Sequence, residues 1–584
     1  MLPDASSGRQ HLRHGSGEGY SANTNLRPMV TATVSANGSS VGRWLQPDAL
    51  IPTCTWSSLN VTIGGRLRRA TPYARSCFSG SLDEGDCTGV INEYLDPAKR
   101  SNHFGAYINT EWETCQATAE ECALNWLNPA ARDGDCTQGA VPSYYIDVGD
   151  HVDVAAAFEF SRRTGVPVVI KNTGHDYMGR SSGSGTLGIW THHLKSISYH
   201  KAFVPQGCVS TANPVPAVTF GSGAQFSDVL EFANENNLTI PGGSDATVGV
   251  GGGYLQGGGH SPLSNIFGLA VDRVLEYEVV VPTGDLLVAN ECQNPDLFFA
   301  LRGGGGGTFG VVMQVSIQAL PRAELVTVSA TFKPATSIER FLEFVIPHSV
   351  EWASDGWSGY IYTAGLFHLS KLETTEEGAV AYMAPLKTFI EEELDLELQV
   401  STSHSYGEFH EKYLHLSSVG LPKCIPVFPA SRLIPADTFS ESPKELLSTL
   451  MQLINTLPAS FIFANAPYAF TGDGKTSVTG AWRRSIWDVT FGQVWDYTAS
   501  PAEQEKAYRD LSQSMEPLRE ITPGGGTYGN EADVYEPDWE HAFWGENYEE
   551  LVKVKRKYDP EHLLDCWRCV DWKGPSDPRY HCYF

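Results

Sequence analysis

The stretch KNTGHDYMGRS, Lys171 to Ser181, follows the apolar run VPVVI and sets His175 between a glycine and an aspartate. Two readings suit it. It is a tight turn whose imidazole meets solvent, or a backbone wrapped around an anionic ligand on which the imidazole acts. Three more glycine-rich stretches favour the second: PGGSDATVGVGGGYLQGGGHS, LRGGGGGTFGVV and TPGGGTYGNEAD. Glycine permits positive φ and close approach of backbone to a ligand, and successive N–H groups in such turns make an anion-binding nest. Flexible linkers also collect glycine, yet these clusters lie between strand-like and helical segments. The pattern GxxxxGK[ST] is absent, and no GxGxxG stands between a strand and a helix with an acid about 20 residues on. CWRC at Cys566 to Cys569 suggests zinc or redox work, but no second CxxC accompanies it. No metal site is expected, and disulfide partners elsewhere are expected for that pair.

Periodic segments must position these turns. HVDVAAAFEFSRRTG carries Val152, Ala156 and Phe160 at helical spacing and stops at Gly165, and VPVVIK then reads as a buried strand. AQFSDVLEFANENN has Phe226, Val229, Leu230 and Ala233 at i, i+3, i+4 and i+7, a second helix. VLEYEVVV, the turn PTGD and LLVAN form a hairpin. Beyond Val326 the glycine clusters stop, and strand-like runs (LVTVSATF, LELQVSTSHSY, ASFIFANAPYAF) mix with helical ones, as in an α+β domain on an antiparallel sheet. Ser500-Pro501-Ala502-Glu503 is a capping box with proline at the first helical position. The expected divisions are a mobile tail over 1–45, a cysteine-rich and loop-like segment over 46–140, and a glycine-clustered domain over 141–325. An antiparallel-sheet domain follows over 326–499, and 500–584 form a C-terminal return. The cysteine-rich segment reads as a poor place for a catalytic site.

The totals narrow the function classes. A chain of 584 residues is too long for one ordinary core. No apolar run approaches the roughly 18 residues of a membrane span. A formal charge of −27 disfavours nucleic acid and anionic membranes as partners. Twelve cysteines, with sequons at Asn37, Asn60 and Asn237, point to an oxidising, secretory route. The given start lacks the apolar core of a signal peptide, so the secretory expectation rests on cysteines and sequons. Oligomeric state has no signature in the sequence.

Taken together, KNTGHDYMGRS, PGGSDATVGVGGGYLQGGGHS, FGLAVDRVLEYEVVVPTGD, LRGGGGGTFGVV and YGNEADVYEPDWEHAFWGENYEELVKVKRKYDPEHL resemble the FAD-linked oxidases of the vanillyl-alcohol-oxidase type. Within them the chain resembles the berberine-bridge-enzyme-like branch, and there the secreted fungal isoamyl-alcohol-oxidase-like proteins. The resemblance spans about Pro142 to Pro560. It implies an α+β fold: a two-lobed PCMH-type FAD-binding domain with an inserted substrate domain on an antiparallel sheet covered by helices. It implies FAD bonded through its 8α-methyl to His175. The implied cradle comprises Lys171, Asn172, Thr173, Gly174, Asp176, Arg180 and Ser181, then Gly242, Thr247, Val248, Gly251, Gly252 and His260, and finally Asn530. Bicovalent members carry a cysteine on flavin C6 where this chain has Asp245, so one covalent bond is expected. They also carry a histidine where this chain has Gly253, and His260 is the candidate substitute beside the flavin N1 edge. Val248, small beside the flavin, goes with oxygen-reactive members. Asp533 would brace the YGNEAD turn. The catalytic base stays open among Tyr528, Tyr177 and His410. The expected activity is a secreted oxidase taking a hydride from the carbinol carbon of a small molecule, with O2 as acceptor. A dehydrogenase, an oxidative cyclase, or a flavin protein whose catalysis has lapsed are the alternatives.

Overall fold

Asp150 opens the first long helix, α1 (His151–Thr164), with its side chain accepting the Val152 and Asp153 amides while Asp153 reaches back; Gly165 closes it at φ 77°. The buried stripe is Val154, Ala157, Phe158 and Ser161, together with Phe160. Val152, expected on that face, is half exposed, because the stripe begins two residues later. The coordinates are a computed structural model, which describes residues 47–80, 86–208, 213–333, 337–363, 365–414 and 423–584. The expected tail over 1–45 and the Asn37 sequon lie outside the described residues.

A four-stranded sheet has the order β1-β2-β4-β3, from β1 (Leu67–Arg69), β2 (Tyr144–Asp147), β3 (Val168–Lys171) and β4 (Leu187–Trp190). β2 and β3 flank β4 in parallel, with α1 as the crossover. A five-stranded antiparallel sheet runs β5-β6-β9-β7-β8, from β5 (Ile197–Phe203), β6 (Val215–Gly221), β7 (Val274–Val280), β8 (Leu286–Ala289) and β9 (Val311–Gln318). Between β6 and β7, helix α2 (Phe226–Glu235) buries the four residues its spacing predicts. β7 and β8 are the expected hairpin, with Gly284 at φ 94° in its turn.

The seven-stranded sheet is antiparallel throughout, in the order β13-β10-β12-β11-β15-β16-β14. Its strands are β10 (Leu325–Thr331), β11 (Ser358–Tyr362), β12 (Leu366–Lys371), β13 (Gln399–Ser403), β14 (Val427–Pro435), β15 (Ala459–Ala464) and β16 (Ser485–Val494). Helices α3 (Ile338–Ser354) and α4 (Pro443–Thr456) bury apolar stripes, Phe341, Leu342 and Val345 on one and Leu446, Leu450 and Leu453 on the other. The opposite face is set by strand parity. Tyr360 and Tyr362 of β11 pair with Phe463 and Phe461 of β15, and these with Asp488 and Thr490 of β16. The return begins with α5 (Pro501–Ser514), whose capping box forms as expected, and ends with α6 (Tyr548–Tyr558), which buries Leu551, Val554 and Tyr558.

The N-terminal segment joins a neighbouring core, and the expectation for the CWRC cysteines changes. Its helix Thr53–Thr62 sends Trp56 and Leu59 into the core of α1 and the four-stranded sheet, so it completes that lobe. Among the described residues, disulfides join Cys77–Cys87, Cys115–Cys582, Cys122–Cys136, Cys208–Cys292 and Cys566–Cys569. The CWRC cysteines therefore bond to each other, their α-carbons only 5.3 Å apart.

Candidate active site

A cavity of about 380 Å³ lies between the glycine-rich turns and the Tyr362 face of the seven-stranded sheet. One wall is the β3 turn, Asn172 to Tyr177 with Arg180 and Ser181, and Gly251, Gly252 and Val248 form another. Gly174 turns at φ 91°, which only glycine adopts at little cost. Asn109 Nδ2 donates to the His175 carbonyl at 2.8 Å and Trp112 Nε1 to the Tyr177 carbonyl at 3.0 Å. The segment that read as remote from chemistry thus holds the histidine turn from behind.

His175 Nε2 meets Thr247 Oγ at 2.8 Å. The Thr247 hydroxyl and amide both donate to Asp245 Oδ1, at 2.7 and 2.8 Å, and Lys423 Nζ lies 2.8 Å from Asp245 Oδ2. Burial lowers the His175 pKa and outweighs Asp245 nearby, so the ring is neutral. Burial opposes a charge on Asp245, but the Lys423 ammonium and the Thr247 amide hold its carboxyl well below the usual carboxylate range.

A second constellation lines the same cavity. His260 Nε2 lies 3.3 Å from Glu531 Oε1, and its Nδ1 lies 2.8 Å from Asn465 Nδ2. Burial would lower the His260 pKa, but the Glu531 carboxylate raises it. Asp488 is fully buried, and among the described residues neither of its carboxylate oxygens has a hydrogen-bond partner. One of its oxygens comes within 4.8 Å of an oxygen of Glu531 and of a ring nitrogen of His260, and burial pushes its carboxyl up to about 7. Tyr528 stacks edge-on to His260 at 5.1 Å and accepts from Asn530 Nδ2 at 2.8 Å. Asn530 also donates to the Gly253 carbonyl at 3.0 Å. Asp533 takes the Tyr535 amide at 2.8 Å and meets Arg519, within the same turn.

Four expected site residues do not line this cavity. Lys171 turns the other way, its buried ammonium donating to the carbonyls of His103, Phe104 and Ala106. Gly242 lies behind Gly243, its carbonyl taken by the Tyr406 hydroxyl. Thr247 acts on His175 from the second layer. His410 is buried, with Nε2 3.1 Å from the Gly243 carbonyl, and supports the wall. His260, which lines the cavity, meets Phe463 of the seven-stranded sheet and Asn465 just beyond that strand. Glu531, inside the YGNEAD element, was within reach of sequence reasoning. Asn109, Lys423, Asn465 and Asp488 had no local signal.

Residues 142–290 match the family model described as FAD binding domain, and residues 527–565 the one described as Berberine and berberine like. FAD-linked oxidoreductase cheF of Chaetomium globosum is 36% identical to this chain, over 91% of the chain and 89% of that protein. The chain belongs to the FAD-linked oxidoreductases. This FAD-linked oxidoreductase superposes on the VAO-type flavoprotein MtVAO615 of Myceliophthora thermophila C1 with a TM-score of 0.79 at 28% identity, over 89% of this chain and 95% of that one. It has the VAO-type, berberine-bridge-like flavoprotein fold. It also matches, at 20% identity and a TM-score of 0.59, the glucooligosaccharide oxidase of Acremonium strictum, described with a 6-S-cysteinyl, 8α-N1-histidyl FAD; the match covers 74% of this chain and 92% of that one.

The residues fit FAD. Asn172 Oδ1, Ser181 Oγ, Ser222 Oγ and Gln256 Oε1 line the cavity buried and without a partner among the described residues, and buried polar atoms need partners. Gly253 leaves open space within 4 Å of where a side chain would begin.

Proposed function

We propose that this FAD-linked oxidoreductase is a secreted oxidase holding FAD through one covalent bond to His175 and acting on the carbinol carbon of a small organic molecule. The bound flavin would accept a hydride at N5 and return the electron pair to O2 as hydrogen peroxide. The reading rests on one observation: His175 and the His260–Glu531 pair line the same cavity. Asn172, Ser181, Ser222 and Gln256, with the turn amides from Asn172 to Asp176, would hold the cofactor.

The proton of the substrate hydroxyl goes to the Glu531–His260 pair. Burial raises the pKa values of both Tyr528 and Tyr177, with the Glu531 charge adding to it. These phenols stay protonated at neutral pH and position the substrate oxygen as donors. Cys424 also lines the cavity, but burial pushes its thiol up to about 12. The nucleophilic species is the thiolate, so a single histidyl bond remains the better reading. Val248 on the cavity wall is small enough to leave oxygen a path. The segments 141–325 and 500–584 form the FAD-holding domain in this scheme, and 326–499 the substrate domain. Five disulfides, with exposed Asn237 in its sequon, support the secretory route.

A spectrum of the purified protein, followed by acid precipitation, tests the cofactor. Yellow colour should stay in the pellet, and His175→Ala should release it. Colourless native protein would end the proposal. Rapid reoxidation of the reduced protein in air, with peroxide formed, is expected of an oxidase; slow reoxidation would make it a dehydrogenase or an oxidative cyclase.

A further inference from the structure

We propose that Asp245 and Thr247 drive the attachment of the flavin to His175, as a proton relay on the Nε2 side of its ring. The inference rests on the reading of His175 as the attachment site.

The directions of the hydrogen bonds carry it. An ionised carboxylate only accepts, so the 2.7 Å contact between Thr247 Oγ and Asp245 Oδ1 uses the single hydroxyl hydrogen of Thr247. Asp245 is ionised because Lys423 sits on its other oxygen at 2.8 Å. Thr247 Oγ can then only accept from the imidazole, 2.8 Å away. That assigns the hydrogen of neutral His175 to Nε2 and leaves the lone pair on Nδ1. No hydrogen bond to Nδ1 forms among the described residues, and the ring faces the cavity. Asn109 fixes the backbone of the turn through the His175 carbonyl. The arrangement is that of a nucleophile, an intermediary hydroxyl and a carboxylate kept charged by a lysine.

In the step assigned here, Nδ1 of His175 bonds to the flavin 8α carbon and one 8α C–H bond breaks. The Nε2 hydrogen leaves through Thr247 to Asp245. The isoalloxazine ends two electrons reduced and takes up the two protons released by the carbon and the imidazole. O2, the acceptor of the proposed reaction, oxidises it and yields hydrogen peroxide. Asp245 is restored as the carboxylate.

The test compares wild type, Asp245→Asn, Thr247→Val and Thr247→Ser, each supplied with FAD and followed by intact mass and by flavin retained after acid precipitation. Wild type and Thr247→Ser should carry one FAD adduct. Asp245→Asn and Thr247→Val should bind flavin, seen as native yellow colour, yet form the adduct roughly 10²-fold more slowly, the usual loss when a general base is removed. Thr247→Val decides the matter where Asp245→Asn fails to fold, because it keeps the Asp245–Lys423 pair. Adduct formation at the wild-type rate in Thr247→Val overturns the relay while leaving His175 as the attachment site. Wild-type flavin lost to acid overturns both.

Discussion

At the scale of single residues, the charge state of each group decides its task. His175 is neutral because burial removes its proton, and a neutral ring is what a nucleophile requires. Burial would lower the pKa of His260 too, but Glu531, 3.3 Å away, raises it instead. Glu531→Gln removes the carboxylate with little change of shape. Its reductive half-reaction should slow by about 10²–10³-fold, while flavin content and the oxidised spectrum stay as in wild type. Anaerobic stopped-flow absorbance measures this, and an unchanged rate would take the proton role away from the pair. Lys171 shows the contrast between position and task. It stands in the His175 motif, yet its ammonium serves three carbonyls of the N-terminal segment.

At the scale of elements, the site is made by turns that strands and helices hold in register. Gly249 and Gly253 lie in one turn but differ in what surrounds them. A Cβ at 249 would lie 2.2 Å from Asn172 Oδ1, whereas a Cβ at 253 would meet nothing within 4 Å. Asn172 itself is tied to Ser222 and Thr191, so it cannot swing away freely. Gly249→Ala should therefore cost about 1–3 kcal/mol, the usual penalty of overpacking, and lower flavin content. Gly253→Ala should fold with wild-type stability. Thermal melts with flavin quantitation compare the two, and equal melting temperatures would contradict the packing argument.

At the scale of the whole molecule, two features couple distant parts. Cys115–Cys582 closes a loop of 467 residues, whereas Cys566–Cys569 spans three. Chain-entropy arguments make the long loop worth a few kcal/mol, up to about 5, and the short one little. The double serine variant of the first pair should melt several degrees lower, and that of the second close to wild type. Asp488 links stability to pH. Its folded carboxyl titrates at about 7, against about 3.9 in an unfolded chain. The folded state thus holds a proton that the unfolded state has released, so stability falls as pH rises from about 4 to about 7 and then levels off. The full loss is on the order of 4 kcal/mol. Asp488→Asn should gain melting temperature relative to wild type between pH 5 and pH 8. A difference that stays constant over that range would contradict it.

Local signals were readable because they act over a few residues. The α2 face, the β7–β8 hairpin, the Ser500 cap and the glycine-bounded His175 turn all follow from period, turn chemistry and φ preference. The family was legible by another route, the resemblance of five quoted stretches, in their order, to a known family. Strand parity explains what was not. Asp488 reaches His260 only because β16 lies beside β15 in one register, and a shift of one residue would turn its carboxylate to the other face. Lys423 meets Asp245, and Asn109 meets His175, across separations of 178 and 66 residues. Such contacts leave no periodic trace in the chain, because burial and charge compensation select them only after the lobes have closed around the cavity.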